Sequence, residues 1–485
     1  MGTPAPPDRY HAIDALRAAM MFAVVVLHAA VLFSGVPAGR TVFRFVDPDR
    51  GPEFFWLAVG LQVVSMPAFF LAAGFFVAML VSRCGPRAML AHRLRRITIP
   101  FVVFWPILYA LTMAGILFGC TAADEVTVPA PNDGGAVLRH VGSAMAAGMP
   151  MEQAFALNWP RPDDRLERVG TLDGTPGGKP VWALRGERTD IGPAAWAAVR
   201  FVPVGLGLPF RPSTHHLIHL WFLWVLTLFV LATAVFAPLA RRLPTVAVGR
   251  HLGSFAVPLV GALPFAGVLW WHQLPAVPPP SSLLVSPATL LGYGLFFAFG
   301  ALCWRHRDRL PEVGRHWVIH LLAGLSAGVA AGVLMSQVQD TGPGDNPDWR
   351  RVVACLCAAA AHWQLVWASL GVLGRFATCE VRWVRTLSDA SYWVYLVHLP
   401  VVLWVAAALL GWEVSRYIKF PIVLAAGIGI PLFTYRIFVR QTWLGTFLNG
   451  RRKEVDPTQP SSPLSADGKR LAKMPYLSGL PGRIH

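Results

Sequence analysis

Residues 12–34 read AIDALRAAMMFAVVVLHAAVLFS, an apolar run interrupted by three ionisable groups, Asp14, Arg17 and His28. As a helix rising 1.5 Å per residue it is about 34 Å long, enough to cross a hydrocarbon layer of about 30 Å. Nine further runs of this kind follow, near residues 55–82, 99–120, 215–237, 252–272, 287–304, 317–337, 352–374, 389–411 and 419–437. The runs are continuous, not alternating, which excludes a barrel of short dyad-patterned strands and favours helices that satisfy their own backbone. The predicted fold is therefore an all-α polytopic membrane protein with about ten transmembrane helices. Composition agrees: 55% of the 485 residues are apolar and 14% charged, against roughly a quarter charged in a soluble domain.

Forty-two Lys and Arg against 26 Asp and Glu leave a net charge of +16. In a soluble protein such a balance would suggest nucleic acid as a partner. Here the excess gathers on the side of the N terminus, in short connections such as Arg83, Arg87, Arg93, Arg95 and Arg96, or Arg305, Arg307, Arg309 and Arg315. It is an orientation signal that makes both termini cytoplasmic, and no nucleic-acid partner is expected. Six cysteines without C-x-x-C spacing indicate neither a disulfide framework nor a zinc site. Two segments stand apart from the membrane unit of residues 1–440. Residues 121–214 are too polar to span and too long for a plain connection, so they form an external insertion that either covers a site or is a flexible addition. Residues 441–485 form a basic cytoplasmic tail expected to be disordered, its Ser, Pro and Lys/Arg content highest from about 450 onward.

Polar groups inside an apolar helix are costly and need a reason. Arg17 and His28 lie eleven residues apart, which puts them within roughly 20° of one helix face and about 16 Å apart along the axis. The plainer reading is a snorkelling Arg17 paired with Asp14 and a packed core histidine. In His92-Arg-Leu-Arg-Arg-Ile-Thr-Ile-Pro100, Arg93 and Arg96 share a face and suit phosphate oxygens; as a bare basic loop they would only orient the chain. His219-Leu-Trp221-Phe-Leu223 opens the fourth run, and Ser391-Tyr-Trp-Val-Tyr395-Leu-Val-His398 lies in the ninth, with His219 expected near the external face and His398 near the midplane. Gly427, Gly429 and Pro431 interrupt the last run, and Gly292, Gly294 and Gly300 lighten the sixth. Broken helices are a transporter feature, although close helix packing is the simpler use of small residues.

Taken in order, Asp14-x-x-Arg17 with His28, Phe69-Phe70-x-x-Ala73-Gly74, Arg93-x-x-Arg96 before Pro100, the His219 string and Tyr395-Leu-x-His398 resemble the membrane acyltransferase-3 family. The likeness is greatest to its branch that succinylates osmoregulated periplasmic glucans. It runs from about residue 9 to 440, omitting most of 121–214, and departs from the pattern at Ala73, where the family usually has Ser. The resemblance implies a bacterial inner-membrane enzyme that moves an acyl group, acetyl or succinyl, from acyl-coenzyme A to a hydroxyl of an extracytoplasmic carbohydrate. It implies no permanently bound cofactor and no metal, and leaves the oligomeric state open. Under it His28 is the general base, because a sugar hydroxyl does not ionise alone at neutral pH and an imidazole can take its proton. Arg17 would help place the donor, and Arg93 and Arg96 would hold its phosphates. Asp14, His219, Trp221, Tyr395 and His398 would support the site or meet the acceptor. The rival reading is a secondary transporter or flippase for a glycan or glycolipid.

Overall fold

The computed structural model describes residues 11–34, 43, 45–122, 125–129, 165–171, 180–185, 217–242, 249, 251–272, 274–280, 283–313, 315–338, 349–376 and 382–449. Ten long helices form its body: α1 (His11–Phe33), α2 (Pro52–Arg93), α3 (Ile99–Ala122), α4 (Trp221–Arg242), α5 (Ala256–His272), α6 (Pro287–Arg305), α7 (Trp317–Ser336), α8 (Trp349–Phe376), α9 (Arg382–Ala408) and α10 (Arg416–Thr434). Among the described residues, eight apolar helical stretches are long enough to cross a membrane; one, Pro52–Ile116, holds α2 and most of α3, and the shorter α5 brings the crossings to ten. The membrane body is all-α and multi-pass. With ten crossings, the start of α1 and the end of α10 lie at the same end of the bundle, here the basic end.

Local chemistry sets the helix boundaries. Ser286 caps α6 by accepting from the Thr289 amide at 3.1 Å, with Pro287 in the first turn, where no amide partner is lost. α2 continues past the predicted span and bends at Gly85, whose φ of +81° a side chain would resist, followed by Pro86. The basic connection between the second and third spans is therefore itself helical. It passes into α3 through a π turn, Leu94–Thr98, and the Thr98 hydroxyl bonds that of Thr227 on α4 at 3.0 Å. α10 runs unbroken through Gly427, Gly429 and Pro431, so these residues do not unwind it. A Cβ at Gly427 would meet Val402 at 2.7 Å and Val25 at 3.2 Å, which makes this glycine a packing device against α9 and α1.

α1 is the hub, packed on α2, α8, α9 and α10, while α7 leans on α8 and keeps most of its surface outward. α2 and α6 approach at backbone distance. A Cβ at Gly74 would stand 1.9 Å from the Phe297 carbonyl oxygen, and one at Gly300 1.9 Å from that of Leu71. The Ala73-Gly74 string is thus a helix-crossing point. At the end opposite the basic one, the segment after α1 is tied to α10. Lys419 Nζ donates to Asp47 at 3.0 and 3.2 Å with both side chains buried, and Arg416 binds Asp49 at 2.7 Å and Glu53 at 2.8 Å. Arg416's backbone amide and guanidinium hold the Asp49 carboxyl below its usual range.

Of residues 121–214, the described parts beyond the end of α3 are strands β1 (Glu125–Pro129), β2 (Arg165–Thr171) and β3 (Pro180–Arg185), which form a small antiparallel sheet in the order β1-β3-β2. The insertion therefore has local structure of its own. The sequence near 136–157 has an amphipathic pattern, Trp159 and Trp196 could offer aromatic faces to a sugar, and His215 and His216 shortly precede His219; all of these except His219 lie outside the described residues. The tail is not disordered from its first residue: Trp443–Asn449 is a helix with Leu448 buried. Residues 450–485 lie outside the described part.

Candidate functional site

Three histidines from three helices meet inside the bundle. His28 comes from α1 and His398 from α9, with ring centres 5.1 Å apart and nearly parallel planes. His219 comes from the 3-10 turn Ile218–Leu220 that opens α4; its ring lies 5.1 Å from that of His398 and 6.5 Å from that of His28. They stand at one level, not staggered from midplane to outer face as the sequence positions suggested. Helix register explains it: His28 is five residues, about 7.5 Å, from the end of α1, and His219 lies in the turn just before α4, two residues ahead of its first residue, Trp221. Phe43 from the segment after α1 packs edge-on to His28, ring centres 6.3 Å apart.

The hydrogen-bond network assigns the tautomers. His398 Nδ1 lies 2.8 Å from the Tyr395 carbonyl and 3.1 Å from that of Val394. Carbonyls only accept, so Nδ1 carries the proton and Nε2 has the lone pair. That Nε2 is 2.9 Å from His28 Nδ1, so His28 donates from Nδ1 and its own Nε2 is left bare. His219 Nε2 donates to the Leu396 carbonyl at 3.0 Å, which leaves Nδ1 bare in turn. Tyr395's hydroxyl donates to the backbone carbonyl of His219. His219 and His398 are buried, while His28 is only half-buried. The half-buried imidazole is thus the one with an orienting partner behind it and a bare nitrogen in front, the geometry a general base needs.

Arg17 is on the same side of α1. Its Nη2 donates to Ser388 Oγ on α9 at 3.1 Å, its guanidinium lies 5.9 Å from the Phe76 ring, and Asp14 is only a distant partner at 3.9 Å. Arg17 and His28 are eleven residues apart on α1, and their partners Ser388 and His398 are ten apart on α9, in the same sense. The two helices therefore run parallel, laced at two levels about 15 Å apart. Ser388 was not singled out from sequence, although its spacing from His398 is within one residue of that of the α1 pair. Arg93 ends α2 and Arg96 lies in the π turn; both are half-buried where Arg95 between them is exposed. π turns recur at functional sites because they re-aim side chains at little backbone cost.

Two expected members have other uses. Trp221 is 7% exposed and packs on Tyr293 and Phe70, ring centres 5.3 and 6.2 Å away, so it belongs to the aromatic core and offers no face to a sugar. Trp182 lies in β3. Tyr395 acts through His219 and the carbonyl it lends to His398. Among the described residues no cluster of His, Cys, Asp and Glu is arranged to hold a metal ion. A family model described as an acyltransferase domain matches residues 10–436, which takes in the whole helical body and every site residue above. No curated protein and no solved structure matches the chain.

Proposed function

This chain belongs to the acyltransferase-3 family, and on that premise we propose that it carries an acyl group from acyl-coenzyme A in the cytoplasm to a hydroxyl of an extracytoplasmic glycan. It is a multi-pass membrane acyltransferase; the bacterial inner membrane, the coenzyme A donor and the glycan acceptor are the finer parts of the proposal. One observation carries the mechanism: the His398–His28 bond, which leaves His28 Nε2 bare.

In the transfer step the acceptor hydroxyl gives its proton to His28 Nε2 while its oxygen attacks the thioester carbonyl carbon. A carbon–oxygen bond forms, the carbon–sulfur bond breaks, and the proton on His28 passes to the departing thiolate, leaving coenzyme A as thiol and the glycan as ester. His398 accepts from His28 Nδ1 throughout, which keeps the ring oriented and stabilises the imidazolium as it forms. Relay of the acyl group through His28 itself is a variant of the same geometry. Arg93 and Arg96, half-buried on one side of the basic turn, suit the donor's phosphates. Arg17 stands between that end and His28, with Ser388 fixing its guanidinium. The pantetheine arm would run along this seam between α1 and α9. The excess of Lys and Arg at the basic end supports a cytoplasmic donor side, and the acceptor would reach the histidines from the opposite end, where the strand-bearing insertion lies. Succinyl transfer to a periplasmic glucan is the form that the likeness in the motif strings favours.

The transport alternative loses one of its two motives, since α6 and α10 are continuous through their glycines; buried histidines are the other. His28→Ala is expected to abolish release of coenzyme A thiol and ester formation on envelope glycans, read by mass spectrometry, while acyl-coenzyme A binding persists. A variant that still acylates near the wild-type rate would sink the proposal.

A further inference from the structure

The transfer step uses one bare imidazole nitrogen, and the site contains two. His219 is 4% exposed. Its Nε2–H is committed to the Leu396 carbonyl at 3.0 Å, and its Nδ1 is buried with no partner among the described residues. An acceptor buried without a donor costs about 1–3 kcal/mol, so folded proteins keep few of them without a use. The position is also strained. Ile218, a β-branched residue, has a φ of +53°, a conformation such residues rarely adopt. Two bonds from α9 hold the turn: the Tyr395 hydroxyl on the His219 carbonyl, and the Leu396 carbonyl on the His219 ring. Strain of this kind persists where the surroundings over-determine it, commonly at ligand sites.

The chemistry of the missing partner follows from the nitrogen. A neutral imidazole with its proton elsewhere accepts one hydrogen bond from an O–H or N–H. The hydrogen-bonding groups assembled around the three rings are imidazoles, backbone carbonyls and one tyrosine hydroxyl, with no carboxylate among them, so a neutral donor suits it better than a cation. His28 and His219 have ring centres 6.5 Å apart, a spacing that two hydrogen bonds of about 2.8 Å each can bridge through neighbouring oxygens. We propose that His219 Nδ1 accepts a hydrogen bond from the hydroxyl on the carbon next to the one His28 serves, so that the enzyme selects a vicinal diol. This deepens the acyl-transfer reading and rests on it. It also explains why two basic nitrogens share one site: one takes the reacting proton, the other holds the sugar in register. A carbohydrate meets this demand on nearly every ring carbon, whereas a simple alcohol does not.

The test uses the full-length enzyme in lipid nanodiscs with acetyl- or succinyl-coenzyme A, and compares methyl glucoside with its monodeoxy analogues. Thiol release and ester product are both read. Removing the hydroxyl adjacent to the acylated position should lower kcat/KM about ten- to a hundredfold in the wild-type enzyme, the worth of one hydrogen bond to a buried acceptor. In His219→Ala the ratio between the full glucoside and that analogue should fall toward one, since both then lack the same contact. Equal rates for diol and deoxy acceptors in the wild type would overturn the proposal and leave acyl transfer standing; a water on Nδ1 would give this result. A His219→Ala enzyme that keeps the discrimination would overturn it too: a raised KM for acyl-coenzyme A would then place a pantetheine amide on Nδ1, and an even loss would make the residue structural. Failure of the wild type to acylate any of these hydroxyls would overturn the acyl-transfer reading and this proposal with it. The comparison of acceptors on the wild-type enzyme needs no variant to fold.

Discussion

Removing the Asp47 carboxylate should unfold the chain more readily than any other single change at the end of the bundle opposite the basic one. Lys419 is 3% exposed and Asp47 4%, and the ammonium's two hydrogen bonds, 3.0 and 3.2 Å, both go to that carboxylate. Lys419 also sits in the first turn of α10, where the helix dipole is positive and disfavours a cation. In Asp47→Ala this charge stays buried beside an unfavourable dipole. Stranding one member of a buried pair costs about 3–5 kcal/mol, and the bond from the Asp49 amide to Asp47, 2.9 Å, is lost as well. The upper half of that range is therefore expected, a change of about a thousandfold in the folded-to-unfolded ratio at ~4 kcal/mol. Denaturant titration in mixed micelles measures it. The double variant Asp47→Leu with Lys419→Met removes both charges and should return to within about 1 kcal/mol of wild type, since an apolar pair of similar volume replaces an ion pair at little loss. The reasoning fails if Asp47→Ala loses under about 1 kcal/mol, which would mean that Lys419 reaches water by snorkelling, or if the double variant is no better than the single one.

Three further outcomes are expected. Arg93→Ala and Arg96→Ala should each weaken acyl-coenzyme A binding, by calorimetry, about ten- to a hundredfold, since a hydrogen bond to a charged group is worth about 1.5–3 kcal/mol; unchanged affinity in both would make them orientation signals only. Gly300→Ala should destabilise by about 1–3 kcal/mol or more, because its Cβ would stand 1.9 Å from the Leu71 carbonyl, whereas Gly267→Ala, with nothing within 4 Å, should be neutral or mildly stabilising in the same unfolding assay. Asp49 is held below its ordinary carboxylate range by Arg416, so its contribution is present above that range and disappears as pH falls through its lowered value; thermal midpoints followed into acid should fall less steeply in Arg416→Ala than in wild type.

Residues 12–34 were legible as a membrane helix, and so were the other nine spans, because the transfer free energy of a segment is a sum over its own side chains. The Arg17–His28 face was legible for a similar reason: a helix repeats every 100°, and one helix sets both residues. The meeting of His28, His219 and His398 was not. These residues lie on three helices, and their common depth depends on where α4 begins and how far α9 slides along α1, which no local pattern specifies. Nor could the sequence assign the tautomers, which follow from the carbonyls of Tyr395 and Leu396, or show that Arg17 bonds Ser388 more closely than Asp14. Nothing in the local sequence marks Asp47 and Lys419 as a buried pair, since they lie 372 residues apart and meet only in the packed bundle. Gly427 and Gly429 left both a break and close packing open, and α10 is continuous there. In each case the deciding term is a contact between helices. Insertion into a bilayer depends on the sum of a segment's residues, whereas a contact depends on which face each helix turns toward its neighbour, and that is settled only when the helices pack together.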